Sequence, residues 1–143
     1  MRLSRHAHYA IRTVLDLAGH PRTTSADIAR RQGIPAAYMA KIVQDLGRAG
    51  IVRTHRGSHG GVELARPASA LTLLDVIEAA EGPLALNLCI VYGDCPCEQP
   101  CPVRAVLSRL HATVERDLRA VSIMDLDKTV TPQIFTIRGG AVR

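Results

Sequence analysis

The hydrophobic period of this chain changes at Gly50, and that change limits the folds open to it. Before Gly50, apolar residues recur at helical spacing. Ala7, Ala10, Ile11, Val14, Leu15 and Ala18 form one stripe, with Ser4 placed to cap it and Gly19 to end it. In "TSADIARRQG", Thr24 and Asp27 stand at capping-box spacing and Gly33 is a stop, which predicts a two-turn helix. "IPAAYMAKIVQDLGRAG" starts again at Pro35 and carries Met39, Ile42, Val43 and Leu46 on one face. After Gly50 the period is two, and "IVRTH" and "GVELA" read as short strands around "RGSHGG". A short helix, a tight glycine turn, a second helix and a glycine-rich hairpin follow the order of a winged helix-turn-helix.

The remainder reads as helix and loop. Thr72 and Asp75 repeat the box spacing ahead of a helix in "PASALTLLDVIEAAEG". From about Pro102 to Val121, a stripe of Val103, Val106, Leu107, Leu110, Val114, Leu118 and Val121 predicts one long amphipathic helix. A lone helix of this length needs a partner surface, and a second copy of the chain suits it better than its own domain. The chain therefore divides into a winged-helix domain (1–82), a cysteine loop (83–101), a dimerisation helix (102–126) and a tail without clear period (127–143). Aromatic residues are 3% against 47% apolar, so the core must be aliphatic, which favours a mostly α fold.

Charge is distributed unevenly. Residues 1–66 hold eleven Lys/Arg against four Asp/Glu, and residues 67–143 hold seven against nine. A basic front half points to a polyanion, here double-stranded operator DNA. On the second helix of the motif, Ala36, Ala37, Tyr38, Ala40 and Lys41 occupy the early exposed positions that meet base edges. Tyr38 and Lys41 can hydrogen-bond phosphates or bases, whereas the alanines offer apolar contact to thymine methyls. In the hairpin, Arg53, His55, Arg56, Ser58 and His59 crowd around three glycines. Arg56 at the tip suits a narrow, electronegative minor groove. The start of the chain does not read as a signal peptide and no stretch is long enough to span a bilayer, so the expectation is a cytoplasmic protein with no membrane partner.

All four cysteines fall within "CIVYGDCPCEQPC". In a reducing compartment, such a cluster suggests metal binding or redox sensing rather than a disulfide staple. Zinc sites favour C-x2-C pairs, and none is present. No paired carboxylates, nucleophile elbow or phosphate loop suggests an enzyme, and "RGSHGG" lies in a hairpin rather than between strand and helix.

"MRLSRHAHYAIRTVLDLA", the run from "IPAAYMAKIV" to "DVIEAAEG" and the C-x5-C-x5-C loop together resemble the Rrf-two regulators, of the IscR, NsrR and RirA type. The resemblance covers Met1 to about Leu126. It implies a homodimeric transcription regulator, most often a repressor, with an iron–sulfur cluster ([2Fe–2S] or [4Fe–4S]) on Cys89, Cys95 and Cys101. The wing arginine of the family falls on Arg56. A recognition-helix glutamate of some members is replaced by Ala40, so their operator does not carry over. Some members use a histidine three residues after the last cysteine as fourth ligand, and Arg104 stands there. Others use a first-helix aspartate of the opposite subunit, and His8 matches it. His8 in trans, Cys97, or solvent remain as the fourth ligand. A cluster-free thiol or disulfide switch and an iron–sulfur carrier remain as alternative functions, although a carrier has no use for a cationic wing.

Overall fold

The computed structural model describes residues 3–57, 60–93 and 101–129. Among them the chain runs through α1 (Arg5–Gly19), α2 (Ser25–Gln32), α3 (Ala36–Arg48), β1 (Val52–His55), β2 (Gly61–Leu64) and a single 3-10 turn at Ala68–Ala70. It continues through α4 (Leu73–Glu81), α5 (Leu88–Val91), α6 (Pro102–Ala120) and α7 (Ile123–Thr129). The fold is mostly helical with one antiparallel hairpin, as the periods require.

Caps set the helix boundaries. Ser4 accepts from the Ala7 amide at 3.1 Å, and its own amide donates to Glu81 at 2.6 Å, which fastens the start of α1 to the end of α4. Thr72 and Asp75 form a full reciprocal box. At α2 only half the expected box forms. Thr24 accepts from the Asp27 amide, but the Asp27 carboxylate turns to the Thr24 hydroxyl instead of the backbone. Gly33 ends α2 in the left-handed region at φ 60°, where a side chain would be strained. Pro35 is the N-cap of α3 rather than its first residue, so that helix begins one position later than expected.

α1 is the central element and packs against α2, α3, α4, α7 and β2. Its Ala10, Val14 and Leu17 meet Ile28 of α2, Met39, Ile42 and Leu46 of α3, and Val76 of α4 in one aliphatic core. The chain leaves α3 through Gly50 at φ 68°, and the Ile51 amide closes the helix on the Leu46 carbonyl at 2.9 Å. β1 and β2 then pair with Arg53 opposite Glu63 and His55 opposite Gly61. Thr23 and Val62 exchange two backbone hydrogen bonds of 3.2 and 2.7 Å, so the connection between α1 and α2 is strapped to the hairpin. Recognition helix and wing are thus held by the same core.

The long helix α6 ends within one residue of its expected limit at Val121, but the 102–126 unit holds the start of a second helix as well. α6 stops at Ala120, where Val121 turns extended, and Ser122 with Asp125 caps the separate helix α7. Backbone bonds from Leu73 to Val121 and from Ile123 to Leu71 pin this junction beside α4. Ile123 is fully buried in the core. Residues 127–129, read from sequence as tail, belong to α7, and 130–143 lie outside the described residues. α6 rests on α4 and α5, yet none of its residues is buried. Val103, Val106 and Leu110 are 60, 47 and 48% exposed.

Candidate DNA interface and cysteine site

Helix periodicity decides what α3 shows to solvent. Met39, Ile42 and Leu46 are buried, which leaves Ala37, Ala40, Lys41 and Gln44 exposed on the opposite face. Ala36 and Tyr38 are exposed as well. The Tyr38 ring is not free: it stands edge-on to Tyr9 of α1, with centroids 5.9 Å apart. Lys41 donates to Asp45 at 2.8 Å. Asp45 also receives His6 of α1 at 2.9 Å, and Arg48 lies 3.6 Å away. The hydrogen bond from Lys41, joined by that from His6, holds the Asp45 carboxyl below the usual range. The first turns of α1 therefore brace α3 at Tyr38 and at Asp45. Asp45 and Gln44 are not among the positions expected from sequence. The outward spacing of Ala37, Ala40, Lys41 and Gln44 was available to find the second.

The wing presents Arg53, His55 and Arg56 as exposed cations. His55 donates to Glu63 across the hairpin at 2.8 Å. That hydrogen bond is the main reason the Glu63 carboxyl sits below its ordinary range, with the charges of Arg22 and Arg53 adding to it. Arg53 and Arg56 are in no ion pair among the described residues, and Arg56 stands at the end of the described strand side of the tip. Ser58 and His59 lie outside the described residues. The glycines have architectural causes. Gly57 takes φ 105°. A Cβ on Gly60 would lie 2.5 Å from the His55 carbonyl oxygen, and one on Gly61 would lie 3.0 Å from that of Thr23. Their number is thus set by the hairpin and its strap, and the cations alone carry the nucleic-acid signal. A groove of about 390 Å³ separates wing from recognition helix, bordered by Ala40, Val43, Thr54, His55 and Thr24.

A second polar cluster holds the motif together from behind. Asp16, nearly closed off from solvent, accepts from Arg31 at 2.6 and 3.0 Å and from Gln32 at 3.0 Å. Burial raises its pKa, but the hydrogen bonds and charge of Arg31 and the bond from Gln32 outweigh it, and the net direction is down. This pair fixes α2 on α1.

Within the stretch expected as cysteine loop, 83–101, the short helix α5 forms at Leu88–Val91. It carries Cys89. Cys101 directly precedes α6 and makes no capping hydrogen bond. Both are free thiols, half-buried, and α5 packs against α6. Cys95 and Cys97 lie outside the described residues. No group of three or more metal-ligating side chains converges among the described residues. Arg104, in the first turn of α6, offers no ligating atom. His8 is exposed on α1, its ring edge-on to Tyr9 at 6.4 Å. The donor chemistry at Cys89 and Cys101, two uncommitted sulfurs at the ends of one loop, suits an iron–sulfur centre.

A recognition helix and a cationic wing that share one groove define a DNA-binding transcription regulator. Residues 3–129 match the family described as Rrf2, iron-dependent transcriptional regulator. Protein aau3 of Rhizobium meliloti is 38% identical over 143 residues, covering 97% of this chain and 92% of its own. Among solved structures, CymR, the global cysteine regulator of B. subtilis, superposes with a TM-score of 0.76 at 25% identity, covering 92% of this chain and 99% of that one. IscR of T. potens gives 0.70 at 26%, covering 90% and 87%. The chain belongs to the Rrf2 family of transcriptional regulators, the Rrf-two family its motifs resemble, and is not an enzyme. No helix among the described residues is long and apolar enough to cross a membrane.

Proposed function

We propose that this regulator works as a homodimeric, cytoplasmic repressor whose grip on operator DNA is governed by an iron–sulfur cluster on Cys89, Cys95 and Cys101. The observation that carries the reading is the junction of loop and helix. α5, which carries Cys89, packs against α6, whose N-cap is Cys101, and the apolar residues Val103, Val106 and Leu110 of α6 are uncovered in the single chain. A second copy laid on that stripe would join the two sensor loops to the two reading heads. When bound, the cluster supplies a labile centre that responds to iron supply, nitric oxide or oxidant.

His8 of the partner subunit completes the ligand set in this reading, in preference to Cys97. Its neighbours on α1 suit the role, because His6 and Tyr9 are the residues that brace α3. Release of His8 would loosen α1 and with it the spacing of two recognition helices. The likeness to CymR supports a second reading, a cluster-free thiol switch in which Cys95 or Cys97 pairs with another cysteine.

Protein purified without oxygen decides between them. Bound iron and acid-labile sulfide with visible bands support the cluster, and Cys89→Ser should then lose them. A spectrum altered in His8→Ala but unchanged in Cys97→Ser supports the trans ligand. Colourless protein from iron-replete cells, with DNA binding that responds to oxidant, replaces the cluster with the thiol switch.

A further inference from the structure

The outward face of α3 carries four side chains at i, i+3, i+4 and i+7: Ala37, Ala40, Lys41 and Gln44. A helix in the major groove reads bases with this set, as the homeodomain helix does over the same spacing. Two of the four are alanines, which can touch a thymine methyl but form no hydrogen bond. Their small size also lets the helix axis approach the groove floor, so a longer side chain two turns in can reach a base edge. Lys41 is drawn sideways to Asp45, 2.8 Å away, and its ammonium is a point charge without a planar pairing edge. Gln44 is different. Its amide joins a donor and an acceptor in one plane, and among the described residues it makes no hydrogen bond.

We propose that Gln44 is the specificity-determining residue of the recognition helix, reading an adenine through a two-point contact from its amide to N6 and N7. The carbonyl oxygen accepts from the adenine amino group and the amide nitrogen donates to N7. Arginine at the same position would instead present two donors, which match the O6 and N7 acceptors of guanine. The inference rests on α3 being the DNA-reading helix and requires nothing of the cluster.

The test is selection from a randomised duplex library with the full-length wild-type protein, Gln44→Ala and Gln44→Arg. The side chain is exposed, so the folds should match, which thermal unfolding checks. The wild-type motif should contain one A·T pair in each half-site that becomes degenerate for Gln44→Ala and turns to G·C for Gln44→Arg, with the rest of the motif kept. Gln44→Ala should bind the wild-type consensus about tenfold more weakly, yet bind a duplex altered at that one pair as well as wild type does. Three identical motifs would overturn the inference. So would an equal loss by Gln44→Ala on every duplex, which marks a structural or phosphate role. A wild-type protein that selects no motif at all would instead bring down the DNA-reading role of α3 on which the inference stands.

Discussion

The front of this chain, α1 to α4 with the wing, and its back, from α5 through α6, treat their side chains in opposite ways. The front buries an aliphatic core to within a few per cent of full exclusion and pairs its buried carboxylate, Asp16, with Arg31 and Gln32. The back buries no residue of its longest helix, leaves three apolar side chains of α6 exposed, and encloses His111 Nδ1 without a hydrogen-bond partner among the described residues. A region that satisfies its own groups can fold as a rigid head. One that does not is completed from outside, in the proposed reading by a second copy and a cofactor.

Equivalent substitutions in the two regions should therefore behave differently. Leu46→Ala, in the front core, should lower the unfolding free energy by about 3 kcal/mol at every protein concentration, because it leaves a cavity. Leu110→Glu, on the exposed stripe, should leave the melt of dilute protein unchanged but shift sedimentation toward monomer. Equal concentration-independent losses for both would erase the contrast. The next effect concerns pH. Asp16 has its pKa lowered in the fold, so its stabilisation is complete above the ordinary aspartate value of about 4 and is lost as pH falls through the lower folded value. Asp16→Asn should then cost about 2 kcal/mol at neutral pH and progressively less below pH ~4 in urea titrations. A difference constant from neutral to acid would deny the ion pair its role. The smallest effect is on the wing. Arg56→Ala should weaken binding to all duplexes by about fivefold and reduce the salt slope by about one, with stability untouched. An unchanged slope would remove Arg56 from the DNA.

The same contrast governs what could be read from sequence. Helices α1 to α4 and the hairpin carry their boundaries in local chemistry: Ser4, Thr24 and Thr72 as caps, Gly33 and Gly50 as left-handed stops. The break at Val121 is also written locally, where the apolar stripe ends and Ser122 and Asp125 stand at box spacing ahead of α7. α5 is four residues long, too short for a period to register. Contacts between distant residues left no local trace. Arg31 meets Asp16 fifteen positions away, and His6 meets Asp45 across thirty-nine. Gln44 lies beyond the first turns of α3, where base-reading positions are expected, and the wing glycines serve the hairpin and its strap at Thr23. In the proposed reading the fourth ligand is illegible for a related reason, because it would depend on how two chains meet.

One titration bears on the central claim more directly than any other. A single anaerobic preparation is bound to its selected DNA duplex, first with its chromophore intact and then after the iron has been removed by a chelator. An affinity that changes by about tenfold or more, while the core melts as before, is the result expected of a rigid head steered by its loop. Equal affinities in the two states, with iron and sulfide shown to have left, would contradict it.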